Sequence, residues 1–198
     1  MKSKFGTFLM IIGAALLVAA LSLFMMNRQE EQEAEESSNQ LLEMVEQLVE
    51  TPDYSVQLPD PYDPTMTEKE IEGHLYIGYL TIPSLGLELP IMSDWSYAQL
   101  RIAPCRYSGS SKSDDLVLMA HNYRSHFGQL KTLKEGDQVV FTDMDNEVTQ
   151  YEVVALDVLS PTAVEEMIAG DYDLTLFTCT YGGKSRVTVR CEEIESND

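Results

Sequence analysis

Three side chains sit where predicted strands end. Cys179 closes the apolar run Leu174 to Thr178, and a glycine loop, Thr180-Tyr181-Gly182-Gly183-Lys184-Ser185, separates it from an alternating strand that starts at Arg186. A thiolate is a strong nucleophile, and a cation on the next strand both favours the thiolate and can stabilise an oxyanion formed by its attack. His121 ends a second apolar run, Leu116 to Ala120, where an imidazole could donate and accept protons near neutral pH. Each residue also has a plainer reading, Cys179 as a buried strand thiol and His121 as an ordinary strand-end histidine. A Cys, a His and an Arg at three strand ends make a sharper hypothesis than any one of them. Alternation puts Arg186 and Arg190 on one face, so period does not choose between them. Arg186 is nearer to Cys179 through the loop and is the favoured candidate. His126 follows the polar stretch Asn122-Tyr123-Arg124-Ser125 and reads as a surface residue.

The elements that must hold these residues are mostly strands. Leu75–Ile82, Leu85–Ile91, Asp115–Ala120, Gln138–Thr142, Val148–Val154, Leu174–Thr178 and Arg186–Cys191 all carry strand patterns. Asp143-Met144-Asp145-Asn146-Glu147 reads as a hairpin turn between two of them. Helical signals in this region are confined to Tyr97–Ile102 and to Thr162–Ala169 after Ser160-Pro161. Many short, closely spaced strands predict an antiparallel barrel or sandwich. The globular part, residues 71–198, is long enough for one hydrophobic core.

The N-terminus reads differently. Phe8 to Met26 is almost wholly apolar and covers roughly 28 Å as a helix, close to the thickness of a bilayer core. Lys2 and Lys4 precede the run and Arg28 follows it, which orients the N-terminus inside and the remainder outside. A cleaved signal peptide would have a shorter apolar region; Ala20-Leu21-Ser22 is a poor cleavage site, and apolar residues continue beyond it. Residues 1–28 are therefore assigned as a transmembrane signal-anchor. Residues 29–70 are assigned as a linker: an acidic tract, a short amphipathic helix over 39–50 with Leu41, Leu42, Val45, Leu48 and Val49 at helical spacing, and an extended segment with Pro52, Pro59, Pro61 and Pro64.

The formal net charge of −20 argues against nucleic acid as a partner, since phosphate binding needs a basic face. The His and Cys positions lack zinc-ligand spacing, and the acidic turn at 143–147 lacks the remainder of a calcium-loop pattern, so neither metal nor cofactor is expected. Cys105 and Cys191 could pair or remain two separate buried thiols; the spacing leaves both open.

At this point the chain resembles the sortases, cysteine transpeptidases of Gram-positive cell surfaces. Thr175-Leu176-Phe177-Thr178-Cys179 is similar to the family's T-L-x-T-C signature, and Arg186 falls where the family keeps an arginine. Ala120-His121-Asn122 resembles its histidine segment, with Ala where Gly is common, and Phe127-Gly128-Gln129-Leu130 resembles the F-x-x-L that follows it. Ile77 to Pro83 and Leu89-Pro90-Ile91 resemble the opening strands. The resemblance covers about residues 71–191, in order. It implies a closed, mixed β-barrel with short helices and two-step acyl transfer. Cys179 would be the nucleophile, Arg186 the oxyanion donor and His121 the general acid and base, with Thr178 as a substrate-binding residue. It also implies sorting-signal-bearing surface proteins as substrates, and a peptidoglycan-precursor or pilin amine as acceptor.

The subfamily is divided. His121 to Leu130 and Cys179-Thr180-Tyr181 resemble class B members, yet Val158 to Leu174 has room for only one short helix, leaving class B-like and class D-like features side by side. Asp60-Pro61-Tyr62 and Asp63-Pro64 could imitate the lid of pilus-building sortases. A papain-like protease needs a different cysteine context and a longer chain. The rival from another class is a non-catalytic, membrane-anchored β-barrel binding module in which Cys179 is core.

Overall fold

A computed structural model describes residues 2–50, 65–169 and 171–194. The chain divides into two compact units, residues 1–33 and 34–198.

One helix, α1, runs from Lys2 to Glu50. Composition predicts a linker from residue 29, but the structure has helix there. The physical reason is local: Gln29 to Glu36 consists of Gln, Glu and Ala, all strong helix formers, and neither Gly nor Pro intervenes between Gly13 and Pro52. In the first unit the apolar side chains from Phe8 to Met26 are exposed on the helix. The segment is long and apolar enough to cross a membrane. In the second unit Ala34, Ser38, Leu41, Val45 and Val49 form one buried stripe at helical spacing. Leu41, Val45 and Val49 pack with Ile71, Tyr76, Met92, Leu100 and Ala103 on the outside of the barrel. Each such side chain, fully buried, contributes about 1.5–3 kcal/mol.

The strands are β1 (Lys69–Ile71), β2 (His74–Ile82), β3 (Leu87–Met92), β4 (Cys105–Ser108), β5 (Leu116–Ala120), β6 (Gln138–Asp143), β7 (Val148–Leu159), β8 (Leu174–Cys179) and β9 (Arg186–Glu193). They pair in the order β1-β2-β3-β4-β5-β8-β9-β7-β6, and β6 returns to β2, so the sheet closes on itself. Closure removes the exposed edges that an open sheet would present. At the β2–β6 seam the two backbones come close at Gly78: a Cβ there would lie 2.0 Å from the Thr142 carbonyl oxygen. Most pairings are antiparallel, but β3–β4 and β5–β8 run parallel, the latter with Ala120 opposite Thr178. The interior is filled by alternate residues, including Leu116, Leu118 and Ala120 of β5, Leu174 and Leu176 of β8, and Val189 and Cys191 of β9.

β1 and β4 carry too little pattern to be read in the sequence. The two expected helices are shorter than predicted. Tyr97–Ile102 holds only a 3-10 turn at Gln99–Arg101, and Thr162–Ala169 only α2, Val164–Met167. Asp143 forms the expected hairpin turn: its Oδ1 accepts the N–H groups of Asp145 and Glu147, and Lys112 neutralises Oδ2 at 2.7 Å. Its carboxylate is thus committed to the turn. Cys105 and Cys191 are separate free thiols in different clusters, and burial pushes both up to about 12. The Asp-Pro segments at 60–64 lie outside the described residues.

Candidate active site

Strand register brings the three sequence candidates together. β5 and β8 are parallel neighbours, so His121 and Cys179, each one step beyond or at the end of the last pair, emerge at the same end of adjacent strands. Adjacent strands lie about 4.8 Å apart. On the other side of β8, Cys179 is the direct cross-strand partner of Arg186. Alternation then sets the face. Leu174 and Leu176 point into the barrel, so Phe177 and Cys179 point out of it.

On that outer face His121, Cys179 and Arg186 line one cleft of about 200 Å³. Its walls are apolar: Tyr107, Met119 and Phe177 from the sheet, Val164 and Met167 from α2, and Trp95 and Tyr97 from the β3–β4 connection. The aromatic wall is continuous. Trp95 stacks on Tyr107 at 5.8 Å and meets Tyr97 edge-on at 6.1 Å, while Tyr107 meets Phe177 edge-on at 5.2 Å. Cys179 is half-buried, whereas the other two thiols are buried. The Arg186 guanidinium donates through Nη1 to the carbonyl oxygens of Gly183 and Ser185, both at 3.2 Å. The loop itself is closed by the Thr180 N–H donating to Ser185 O at 2.9 Å and the Ser185 N–H donating to Thr180 Oγ1 at 3.0 Å.

The two arginines differ in environment. Arg190 is buried and donates to Thr175 Oγ1 at 3.0 Å, Met167 O at 3.3 Å and Glu166 O at 2.7 Å, with Asp157 at 3.5 Å. It ties α2 to the sheet. Arg186 shares the cleft with Cys179, and Arg190 is not among the cleft's lining residues.

Two expectations change. Thr178 is buried and does not line the cleft; its hydroxyl donates to the Ala120 carbonyl at 2.8 Å, joining β8 to β5. Its inward position follows from alternation with Cys179. His126 is not a surface residue: it has no exposed area. The loop after His121 turns back on itself, with the Phe127 N–H donating to His121 O at 3.2 Å and the Gly128 N–H to Tyr123 O at 2.8 Å. Phe127 and Leu130, both fully buried, anchor this return in the core. The sequence reading also missed Trp95, Tyr97 and Tyr107. The one available signal was a Trp and a Tyr two apart in an otherwise polar connection. No His/Cys/Asp/Glu group suited to a metal occurs among the described residues.

Comparison with known proteins adds independent support. The family model of the sortase domain matches residues 80–194. Among solved structures, sortase C1 from Streptococcus suis is 29% identical, with a TM-score of 0.52 over 61% of this chain and 73% of that one. Sortase C1 from Streptococcus agalactiae is 28% identical, with a TM-score of 0.56 over 65% and 72%. A sortase D5 transpeptidase from Clostridium perfringens shares the fold at 17% identity, with a TM-score of 0.63 over 81% of this chain and 99% of that one. Comparison with curated proteins found no match. With more than half of its length matched by the domain model and the closed barrel in place, this chain belongs to the sortase family.

Proposed function

We propose that this chain is a membrane-anchored transpeptidase whose barrel acts outside the cell membrane, with Cys179, His121 and Arg186 as its reacting groups. The observation that carries the reading is the strand register: β5 and β8 end beside the start of β9, with His121, Cys179 and Arg186 on one apolar cleft.

In the first step Cys179 Sγ attacks the carbonyl carbon of a threonine in a sorting signal. The developing oxyanion is met by the Arg186 guanidinium, which has donors beyond its contacts with Gly183 and Ser185. The C–N bond breaks, His121 gives its proton to the leaving amine, and a thioester remains on Cys179. In the second step the amine of a cell-wall precursor or a pilin side chain attacks the thioester and passes a proton to His121. The C–S bond then breaks and the thiolate returns. A substrate seated against the apolar walls displaces water from the thioester, which favours aminolysis over hydrolysis.

The test uses the full chain in detergent micelles with a panel of sorting-motif peptides and amine acceptors. Mass spectrometry should find the transferred product and, without acceptor, a thioacyl adduct on Cys179. A binding module would give neither product nor adduct, and that outcome would reject the reading.

A further inference from the structure

His126 is placed where a polar ring is unfavourable. It has no exposed surface, and neither ring nitrogen has a hydrogen-bond partner among the described residues. The hydroxyl of Ser125 beside it in the loop, and that of Ser38 on α1, are buried and unpartnered in the same way. Leaving such groups unsatisfied costs folding free energy that an apolar residue would not. Burial, and after it the nearby His121, holds the His126 imidazole down at about 4. The Ala34 backbone lies close enough to oppose the shift slightly, without an aligned hydrogen bond to either nitrogen. No carboxylate among the described residues contributes. His126 is therefore neutral at physiological pH, between α1 and the histidine of the cleft.

Tyr123 connects the two histidines. Its ring centroid lies 5.0 Å from that of His121 at an interplanar angle of 46°, and 5.6 Å from that of His126 at 54°. His121, Tyr123 and His126 thus form a column of three rings. His126 at its base is buried beside the Ala34 turn of α1, and Ser38, one turn on, lies on the same buried stripe. His121 follows the last residue of β5, so its backbone is fixed but a strand does not fix its ring.

We propose that Tyr123 and His126 are positioning residues for His121, holding its ring at the cleft through a packed aromatic column based on the Ala34–Ser38 turn of α1. The proposal rests on the reading of His121 as general acid. The column does two things. It restricts the His121 ring to one orientation, which proton transfer within hydrogen-bond reach requires. It also keeps the neighbouring imidazole uncharged, so that no second cation opposes protonation of His121.

The chain has three histidines, His74, His121 and His126, so imidazole NMR of the full chain in detergent micelles resolves each one. His126 should remain neutral above about pH 5, while His121 carries a ring-current shift from Tyr123. Tyr123→Ala should remove that shift and move the His121 titration by half a pH unit or more. It should also lower kcat about tenfold to a hundredfold with KM nearly unchanged, since misplacing a reacting group by about 1 Å can cost 10²-fold. Tyr123→Phe should restore both readouts. Should Tyr123→Ala melt below the assay temperature, Tyr123→Leu keeps bulk without an aromatic face and is read in the same way. The proposal is overturned if Tyr123→Ala, or Tyr123→Leu in its place, leaves the shift and titration of His121 as in wild type, or if His126 is protonated well above pH 5. If no peptide is turned over at all, the transpeptidase reading fails, while the NMR readouts still decide whether the column positions His121.

Discussion

The cleft separates two arginines that share one strand face. Arg186 is opposite Cys179 and, among the described residues, donates to loop carbonyls, whereas Arg190 is buried in a network with Thr175, Met167, Glu166 and Asp157. The expected outcomes of mutation differ accordingly. Arg186→Lys keeps the charge but loses the planar fork, and transfer should fall by about 10²–10³ with an unchanged melting temperature. Arg190→Lys cannot reproduce the bonds to Thr175 and Glu166 and should cost about 1–3 kcal/mol of stability, with the folded fraction still active. Thermal melts beside steady-state kinetics check both; the reverse pattern would exchange their roles. Cys179→Ala should abolish transfer and leave the melt intact, because the half-buried side chain is not part of the barrel interior.

The histidine loop shows how an element can be constrained without regular structure. Gly128 lies where a Cβ would be 2.5 Å from the Asn122 carbonyl oxygen and 2.7 Å from that of Tyr123, both backbone atoms. Gly128→Ala must displace the loop that carries His121. A loss of about 1–3 kcal/mol in a denaturant melt and a drop in kcat are expected together. The same loop gives the barrel an acid sensitivity. An unfolded chain takes up a proton on His126 near pH 6.5, the folded one only near 4. Stability from this group is therefore complete above about pH 6.5 and is lost as pH falls to about 4, by about 3 kcal/mol at most. His126→Phe should flatten the pH dependence of the melt across that window, and an unchanged slope would assign the acid sensitivity to other groups.

Over the whole molecule, the N-terminal unit makes the most direct prediction. Its helix runs without interruption through the weak Ala20-Leu21-Ser22 site, and its apolar side chains are exposed. A helix that is apolar on all sides needs lipid or protein around it. The anchor should remain uncleaved, and membrane-extracted protein should retain its residues before Ser22 by intact mass. A membrane-impermeant maleimide applied to intact cells should label Cys179, whose half-exposed thiol contrasts with the two buried ones. A chain beginning after Ser22 would overturn the anchor, and a Cys179 protected until the membrane is opened would overturn the outside orientation.

How much of this was legible in the chain itself depends on the range of the interaction. Strand positions, the hairpin turn at Asp143 and the apolar span are local, set by alternation, turn chemistry and length, and they could be read from neighbouring residues. So could the strand-end positions of Cys179, His121 and Arg186. The β5–β8 register, which joins Ala120 to a threonine 58 positions away, was not legible, because backbone hydrogen bonds can pair any two strands of suitable pattern. Burial was equally out of reach. His126 sits in a polar stretch and reads as surface until Phe127 and Leu130 draw its loop into the core. Arg190 looks like Arg186 until α2 closes over it. The acidic tract reads as solvated linker until Ala34, Ser38 and Leu41 are seen as one face. The sequence by itself determined which residues could react and which segments could form strands; tertiary structure alone decided which of them meet, because contact and desolvation are properties of residues distant along the chain.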